Sequence, residues 1–193
     1  MRIIYIMGKS SSGKDTIFNI LKKKLDVSTY VMYTTRPIRE GEIQGETYNY
    51  ISTEEMQKYI DNKTTNKLIE SRTYQTALGP WTYATVADKQ FKTKKDLIML
   101  GTLESYNKIK QYFKEKVIPI YIEVEDGTRL ERALKREREE KHPKYVEMCR
   151  RFIADQSDFS EENILNAGIE KRFQNINLDD CVKEIANYIK SVQ

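Results

Sequence analysis

Residues 8–15 read Gly8-Lys9-Ser10-Ser11-Ser12-Gly13-Lys14-Asp15, and this stretch decides the expected fold. It follows an apolar run at 3–7 and precedes a helix-like stretch that begins at Thr16. Two glycines let the backbone N–H groups of such a loop converge on a polyphosphate, and the positive end of the helix dipole faces the same anion. Lys14 occupies the position whose lysine reaches the β- and γ-phosphates in this pattern. The order strand, glycine loop, helix therefore predicts a nucleotide-binding P-loop.

Asp15 departs from the pattern, which has Ser or Thr at this position as a Mg²⁺ ligand, and Thr16 follows it. Hard cations prefer oxygen ligands, so a carboxylate can hold Mg²⁺ directly or through water, and it also suits the first turn of a helix. We expect Mg²⁺ as a cofactor and Asp15 as its ligand. A flexible Ser/Gly loop is the alternative interpretation, and the strand and helix on either side argue against it.

Composition narrows the class of protein. The 193 residues are 39% hydrophobic and 32% charged, which indicates one globular unit with a single core. Acids and bases alternate, the net charge is +4, and the two cysteines form no metal-ligand pattern. No run approaches the roughly 18 apolar residues of a membrane span, and the chain opens on a strand-like run instead of a signal peptide. We expect a cytoplasmic protein that binds neither nucleic acid nor membranes.

Apolar runs alternate with amphipathic stretches along most of the chain, which predicts right-handed βαβ crossovers and a parallel sheet. Pro119 lies inside one such run and predicts an edge or a bulge there. The expected strands are 3–7, 29–33, 96–100, 117–124 and 172–175, and the expected later helices are 127–141, 143–165 and 178–192. The stretch from 34 to 87 is rich in Tyr, Thr and Gly and predicts an inserted small domain. Within it, Ser52 and Glu55 are spaced as a helix capping box.

A second group of residues narrows the ligand. The segment 34–42 reads Thr-Thr-Arg-Pro-Ile-Arg-Glu-Gly-Glu and is followed by Gly-Glu-Thr-Tyr-Asn-Tyr at 45–50. Two arginines three apart, Arg36 and Arg39, with the phenol of Tyr48 nearby, suit a phosphate monoester, because guanidinium forks match phosphate geometry. A polar hairpin surface with incidental arginines is the alternative.

Together these motifs resemble those of the guanylate kinase family, nucleoside monophosphate kinases that transfer a phosphoryl group from ATP to GMP. The resemblance spans nearly the full chain, and the segments at 34–42 and 45–50 carry it. It implies an α/β, three-layer P-loop NTPase fold with a parallel central sheet, an inserted α+β acceptor-binding domain and a helical lid. We therefore expect a core domain at 1–33 and 88–193 with a lid at about 125–150, and an acceptor-nucleotide insertion at 34–87. The expected state is a monomer or weak homo-oligomer that binds small-molecule nucleotides.

By this resemblance, four residues would hold the acceptor phosphate: Arg36, Arg39, Tyr48 and Tyr83. Thr85 would donate its hydroxyl to the guanine carbonyl, and Glu70 would accept from the N–H groups of the base. A carboxylate opposite two N–H donors selects guanine over adenine, because adenine presents no such pair.

The resemblance also implies a donor side. Lys14, Arg36, Arg132, Arg136 and Arg151 would act on the transferring phosphoryl group, with Arg132 and Arg136 on the lid. Asn175 would lie beside adenine and complete an ATP-binding set that also contains Gly8, Lys9, Ser10, Ser11, Ser12, Gly13, Lys14, Asp15 and Thr16. Arginines on a helix surface are otherwise more often solvated or paired with Glu than catalytic.

Three departures leave the acceptor open. Leu100-Gly101-Thr102 stands where the family has an acidic pair, Met32 replaces a serine that contacts the base, and the segment 71–80 is longer than usual. The alternatives are a kinase of the same fold acting on another nucleotide or on ribose 1,5-bisphosphate, and a non-catalytic binding module. The intact glycine loop and Lys14 argue against the module.

Overall fold

The computed structural model describes residues 1–61, 67–76 and 79–192. In that part of the chain, the strands are β1 Ile3–Met7, β2 Val27–Thr29, β3 Tyr33–Thr34, β4 Asn49–Tyr50, β5 Leu68–Thr76, β6 Gly79–Val86, β7 Asp96–Leu100, β8 Val117–Glu123 and β9 Arg172–Gln174. The α-helices are α1 Lys14–Lys24, α2 Thr53–Asp61, α3 Leu103–Phe113, α4 Asp126–Glu139, α5 Tyr145–Asp158, α6 Glu161–Asn166 and α7 Leu178–Ser191. Two short 3-10 turns, Lys89–Lys92 and Lys114–Lys116, complete the set.

A five-stranded parallel sheet with the order β2-β7-β1-β8-β9 forms the core. Successive side chains of a strand point to opposite faces, and β1 is buried on both of its faces. Ile3, Tyr5 and Met7 pack on one face with residues of α3, while Ile4 and Ile6 pack on the other with residues of α1 and α7. The predicted three-layer α/β fold with a parallel central sheet is confirmed.

A second, four-stranded sheet has the order β4-β3-β6-β5, and in the described ranges none of its strands pairs with a strand of the core sheet. Its longest pairing is between the antiparallel strands β5 and β6. β3 pairs antiparallel with β6, and β4 pairs parallel with β3. The register of the β5–β6 pair shifts between Leu68 and Glu70. A bulge of this kind re-aims the side chains that follow it. That the segment 34–87 is an acceptor-binding insertion, and about 125–150 a lid, stay predictions.

Two predicted elements are wrong in their bounds. The expected strand at 29–33 is divided, because β2 ends at Thr29 in the core sheet and β3 begins at Tyr33 in the second sheet. Between them Tyr30 is buried, and its hydroxyl donates to the carbonyl oxygen of Val86 on β6 at 2.9 Å, which fixes the crossing between the sheets.

The expected single helix at 143–165 is two helices, α5 and α6. Ser160 begins α6 by accepting a hydrogen bond from the backbone N–H of Asn163 at 3.3 Å, and Phe159 before it is buried in the core. A serine N-cap satisfies a backbone donor that a continuous helix would satisfy internally, so the chain can turn here at little cost. Within the described ranges, no helix has both the length and the apolar content that crossing a membrane requires.

Candidate active site

The glycine loop connects β1 to α1, as predicted, and close contacts on both sides fix its path. Gly13 has φ 84°, in the left-handed region, and a Cβ there would collide with the side-chain nitrogen of Asn175. A Cβ at Gly8 would lie 2.5 Å from the carbonyl oxygen of Ile122. Both positions therefore require glycine, since any side chain would displace the loop from the core sheet.

Asn175 holds the loop from the side of β8 and β9. Its buried amide donates to the carbonyl oxygen of Ser12 at 2.8 Å, and its own backbone N–H donates to the carbonyl oxygen of Glu123 at 3.0 Å. Arg132 donates to the carbonyl oxygen of Asn175 at 3.1 Å. The structure thus brings two of the predicted donor-side residues, Asn175 and Arg132, together with the glycine loop.

A buried arginine that the sequence analysis did not single out, Arg129 on α4, supports the other end of the loop. Its side chain is 1% exposed, and its guanidinium donates to the carbonyl oxygen of Ser10 at 3.0 Å. It also bonds Asp126 at 2.6 Å and Asp155 at 3.3 Å, and Asp155 accepts from the backbone N–H of Ser10 at 2.6 Å. The i, i+3 spacing of Asp126 and Arg129 was the available signal, but it lies in a helix full of mixed charges.

Lys14 and Asp15 begin α1. The Nζ atom of Lys14 lies 3.6 Å from the Asp15 carboxylate, whose side chain is 72% exposed. Lys9 is turned away from them, because its Nζ donates to the side chain of Gln156 at 2.8 Å. Thr16 is exposed at the same helix start.

A Mg²⁺ ion that is bound with a nucleotide takes most of its ligands from phosphate oxygens and water, and only one or two from protein carboxylates. The carboxylate of Asp15, next to Lys14, fits such an ion. The described residues contain no cluster of three or more His, Cys, Asp or Glu side chains that would hold a metal without such help.

The remaining predicted arginines, Arg136 on the lid and Arg151 after it, are not brought to the loop. Arg136 on α4 and Arg151 on α5 are exposed, and across residues 1–61, 67–76 and 79–192 no hydrogen bond or ion pair links either one to residues 8–16.

The predicted acceptor-phosphate residues form a cluster around Arg36, which is 4% exposed. Its guanidinium lies 5.5 Å from the ring centre of Tyr48, and the ring of Tyr83 lies 5.6 Å from that of Tyr48. Arg39 is exposed and lies 6.0 Å from the ring of Trp81, at the margin of this cluster.

Glu42 was not predicted as a site residue, yet it organises the cluster. One carboxylate oxygen accepts from Arg36 at 2.7 Å, and the other accepts from the Tyr50 hydroxyl at 2.7 Å and the backbone N–H of Arg39 at 2.8 Å. The hydrogen bond from Arg36 is the largest influence on Glu42 and lowers its pKa to about 2.

The predicted base-binding residues meet at the start of the β5–β6 pair. The hydroxyl of Thr85 donates to Glu70 at 2.8 Å, and both side chains are buried. Arg72, which the sequence analysis did not single out, lies 3.1 Å from Glu70 and donates to the hydroxyl of Thr102 at 2.7 Å. It also approaches the sulfur of Met32 at 4.0 Å. Two of the three departures in the sequence, at Met32 and Thr102, are therefore in contact with one guanidinium.

A cleft of about 410 Å³ lies between α1 and the second-sheet region. It is lined by Asp15, Phe18 and Lys22 from α1 and by Met32 and Tyr48 from the second-sheet region. The start of the P-loop helix and the acceptor cluster therefore face a common space.

A glycine loop between a central parallel strand and a helix, with a lysine at the helix start, defines an α/β protein of the P-loop class. The protein-family model described as guanylate kinase matches residues 1–192. The chain therefore belongs to the guanylate kinase family.

Individual relatives are similar over shorter stretches. A guanylate kinase of Blochmanniella floridana is 41% identical over 59 residues, which are 29% of this chain and 28% of that protein. A guanylate kinase of Rhodopirellula baltica is 41% identical over 59 residues, 30% of this chain and 28% of that protein. The matched stretch thus spans less than a third of the length of each relative. The crystal structure of guanylate kinase from Anaplasma phagocytophilum matches with a TM-score of 0.65 at 15% identity over 98% of this chain and 85% of that one, which shows the shared fold.

Proposed function

We propose that the chain transfers the γ-phosphoryl group of ATP to a nucleoside monophosphate, GMP or dGMP, and releases ADP and the nucleoside diphosphate. The observation that carries this proposal is the cleft lined by Asp15 at the start of the P-loop helix and by Tyr48 of the acceptor cluster, because phosphoryl transfer needs donor and acceptor side by side. Membership of the guanylate kinase family supports the same reaction.

On the donor side, the backbone N–H groups of the loop and Lys14 would bind the β- and γ-phosphates of ATP. The supports described above, Asn175 and Arg129, hold the backbone of the loop through the carbonyl oxygens of Ser12 and Ser10. They pre-organise the N–H groups before ATP arrives, so little free energy is lost in ordering them. Mg²⁺, held in part by Asp15, would supply charge neutralisation on the phosphates.

On the acceptor side, Arg36, Tyr48 and Tyr83 would bind the phosphate of GMP, with Arg39 closing from the margin. An oxygen of this phosphate attacks the γ-phosphorus, the bond from that phosphorus to the bridging oxygen breaks, and ADP leaves. The second pKa of the phosphate is about 6, so it is ionised at neutral pH and needs no general base. Lid closure would bring Arg132, Arg136 and Arg151 to the transferring group, where they stabilise its negative oxygens.

We further infer that the protein is cytoplasmic and acts as a monomer or weak homo-oligomer on small nucleotides, without nucleic acid or membrane partners. The mixed surface charges and the net charge of +4 support this inference.

Acceptor profiling tests the proposed function. The purified chain is given ATP and Mg²⁺ with GMP, dGMP, AMP, CMP, UMP or ribose 1,5-bisphosphate, and ADP formation is followed. We expect kcat/KM for GMP or dGMP to exceed that for AMP, the pyrimidine nucleotides and the sugar bisphosphate by about 100-fold or more. Equal or faster turnover of ribose 1,5-bisphosphate would replace the proposal with the sugar phosphate kinase alternative. Absence of ATP binding would favour a non-catalytic module.

A further inference from the structure

Arg72 is the least expected residue of the base end, which comprises Glu70, Arg72, Thr85 and Thr102. Its side chain is 8% exposed, and it lies beside the fully buried carboxylate of Glu70 at 3.1 Å. Burial, the largest single influence, acts to lower the pKa of Arg72. The Glu70 carboxylate and other neighbouring groups act to raise it, and the net result is a raised pKa. The base end of the pocket therefore holds one negative and one positive charge, and its net charge is close to zero.

The geometry leaves specific hydrogen-bonding groups unused. Glu70 Oε2 and Arg72 Nε are close in space but are not aligned as a hydrogen bond, and neither has a hydrogen-bond partner within the described residues. The other carboxylate oxygen, Glu70 Oε1, already accepts from Thr85. Buried polar groups without partners are uncommon in folded proteins and call for an explanation such as a ligand or ordered water.

Thr102 adds a third unused group. Its hydroxyl oxygen accepts from Arg72 at 2.7 Å and from the backbone N–H of Ser105 at 3.3 Å, where it caps α3. A hydroxyl has two acceptor lone pairs and one proton, so these two bonds leave the O–H free to donate. The base end thus offers two donors, Arg72 Nε–H and Thr102 O–H, and one wholly unpaired acceptor atom, Glu70 Oε2, while Glu70 Oε1 keeps one lone pair beside its bond from Thr85.

Neighbouring residues hold this arrangement in place. Tyr5 donates its hydroxyl to Ser105 at 2.7 Å and lies against Gly101, where a Cβ would collide with that hydroxyl. A side chain at Gly101 would therefore displace Tyr5, and the hydrogen bond from the backbone N–H of Ser105 holds Thr102 at the helix start. Arg72 is paired in register with Tyr83 on β6, so the base end continues directly into the acceptor-phosphate cluster.

We propose that Arg72, Glu70 and Thr102 together read a carbonyl group next to a ring N–H, and that the pocket accepts 6-oxopurine monophosphates whether or not they carry a 2-amino group. The carbonyl oxygen has two lone pairs for the two donors, and the ring N–H matches the wholly unpaired acceptor atom. Guanine and hypoxanthine share this edge. Adenine instead presents two N–H donors and one lone pair, which would leave a donor of the pocket unmatched.

The strong acceptor left for the 2-amino group is Glu70 Oε1, which already accepts from Thr85 and keeps one lone pair. Both lone pairs of the Thr102 hydroxyl are used, and the thioether of Met32 is a weak acceptor. Arg72 is therefore a specificity-determining residue, and inosine monophosphate is an acceptor comparable with GMP. This inference rests on the proposed function, because it takes a nucleotide base as the ligand of the pocket.

Binding and turnover are measured separately, so that the inference and the proposed function can fail independently. Calorimetry without ATP gives the Kd of GMP, IMP and AMP for the full chain, and a coupled assay with ATP and Mg²⁺ gives kcat/KM. We expect GMP and IMP to agree within about 10-fold on both measures and AMP to be weaker by about 100-fold or more. A preference of about 100-fold or more for GMP over IMP, with turnover intact, would overturn the inference alone. Equal binding of GMP and IMP without phosphoryl transfer would overturn the proposed function alone, and absence of binding by any nucleotide would overturn both.

Two variants test the residues. Arg72→Gln should weaken GMP and IMP alike by about 10- to 100-fold, because a charged donor is lost, while their ratio stays the same. Tighter binding by Arg72→Gln would mean that Arg72 blocks the pocket, and would overturn the inference.

Thr102→Asp keeps a good helix cap but removes the O–H donor and places a carboxylate beside the 6-carbonyl, so it should weaken GMP and IMP alike by about 10-fold or more. Undiminished binding of both nucleotides by Thr102→Asp would overturn the inference even if Arg72→Gln failed to fold. Ser71→Ala, on the opposite face of β5, is the matched control and should change neither affinity nor thermal stability.

Discussion

The two halves of the site are built in different ways. On the P-loop side, buried side chains from distant elements hold the backbone itself, as Asn175 does at Ser12 and Arg129 does at Ser10. On the acceptor side, functional side chains are held by other side chains, as Arg36 is by Glu42.

This difference indicates which substitutions should affect each half of the site, and in what way. A loop that binds through backbone N–H groups depends on glycine positions and on its supports, and it tolerates most side-chain identities. A pocket that binds through side chains changes its ligand when one of them changes, which is the role proposed for Arg72 beside Glu70. We therefore expect donor-side changes to alter rate or stability, and changes to the side chains that contact the acceptor to alter selectivity.

The largest expected effect tests Lys14, a donor-side residue proposed to act through its side chain. Lys14→Ala should lower kcat with ATP and GMP by about 10³-fold or more, because the charge on the transferring phosphates is no longer neutralised. The fold should persist, since the one ion pair of Lys14 in the described ranges is with the exposed Asp15 at 3.6 Å. Steady-state kinetics and a thermal melt check the two parts.

Lys23→Ala is the matched control for this variant, because Lys23 is an exposed residue of the same helix. It should retain normal kinetics. Near-normal turnover by Lys14→Ala would remove the glycine loop from the reaction.

The second effect tests whether the loop depends on its supports. Arg129→Met should destabilise the fold by about 3–5 kcal/mol, because it leaves Asp126 and Asp155 without their buried partner. In any folded fraction, KM for ATP should rise more than kcat falls, since the loop loses its order. Urea unfolding measures the stability.

Arg138→Met on the exposed part of α4 is the control and should cost less than about 0.5 kcal/mol. If Arg129→Met also cost less than about 0.5 kcal/mol, the position of the loop would not depend on Arg129.

The fold could be predicted well because its signals are local. The capping box at Ser52 and Glu55 forms as predicted, with reciprocal hydrogen bonds at 3.1 and 3.0 Å. Pro119 in β8 was predicted to lie at an edge or a bulge. The pairing of β8 with β1 is unbroken, and β9 pairs with β8 only from Tyr121 onward, so Pro119 lies in the part of the strand that is an edge on the β9 side. The division of 29–33 between two sheets could not be predicted, because the contact that causes it, Tyr30 with Val86, joins residues 56 apart.

The site could be predicted only where a motif carries it. The motif placed Arg36 and Tyr48 in one cluster, as the structure does. Arg72 and Arg129 were missed, because each looks like an ordinary charged residue until the fold buries it beside partners on other elements. The roles of Arg136 and Arg151 stay predictions, since they depend on the position that the lid takes when the donor nucleotide is bound.

The smallest expected effect sharpens the acceptor side of the comparison. Glu42→Gln should cost about 1–3 kcal/mol at pH 7, because the buried guanidinium of Arg36 loses its carboxylate partner. Hydrogen bonding to Arg36 lowers the pKa of Glu42 from 4.5 to about 2 in the folded chain. A lowered pKa stabilises the fold above the unfolded value, and this contribution is lost as the pH falls towards the folded value. The stability difference between the native chain and Glu42→Gln should therefore narrow as the pH falls from 4.5 towards 2.

Urea unfolding at several pH values measures this difference, with Glu40→Gln as the control on the same exposed loop. Glu40→Gln should differ little from the native chain in its free energy of unfolding, and this difference should not change between pH 4.5 and about pH 2. If the difference for Glu42→Gln stayed constant below pH 4.5, the carboxylate would not be what holds Arg36. The acceptor cluster would then be held by its aromatic rings, Tyr48 and Tyr50, which lie 5.5 and 5.6 Å from the guanidinium. The contrast with the hydrogen-bonded P-loop would then be larger, because packing alone would position Arg36, the proposed phosphate ligand.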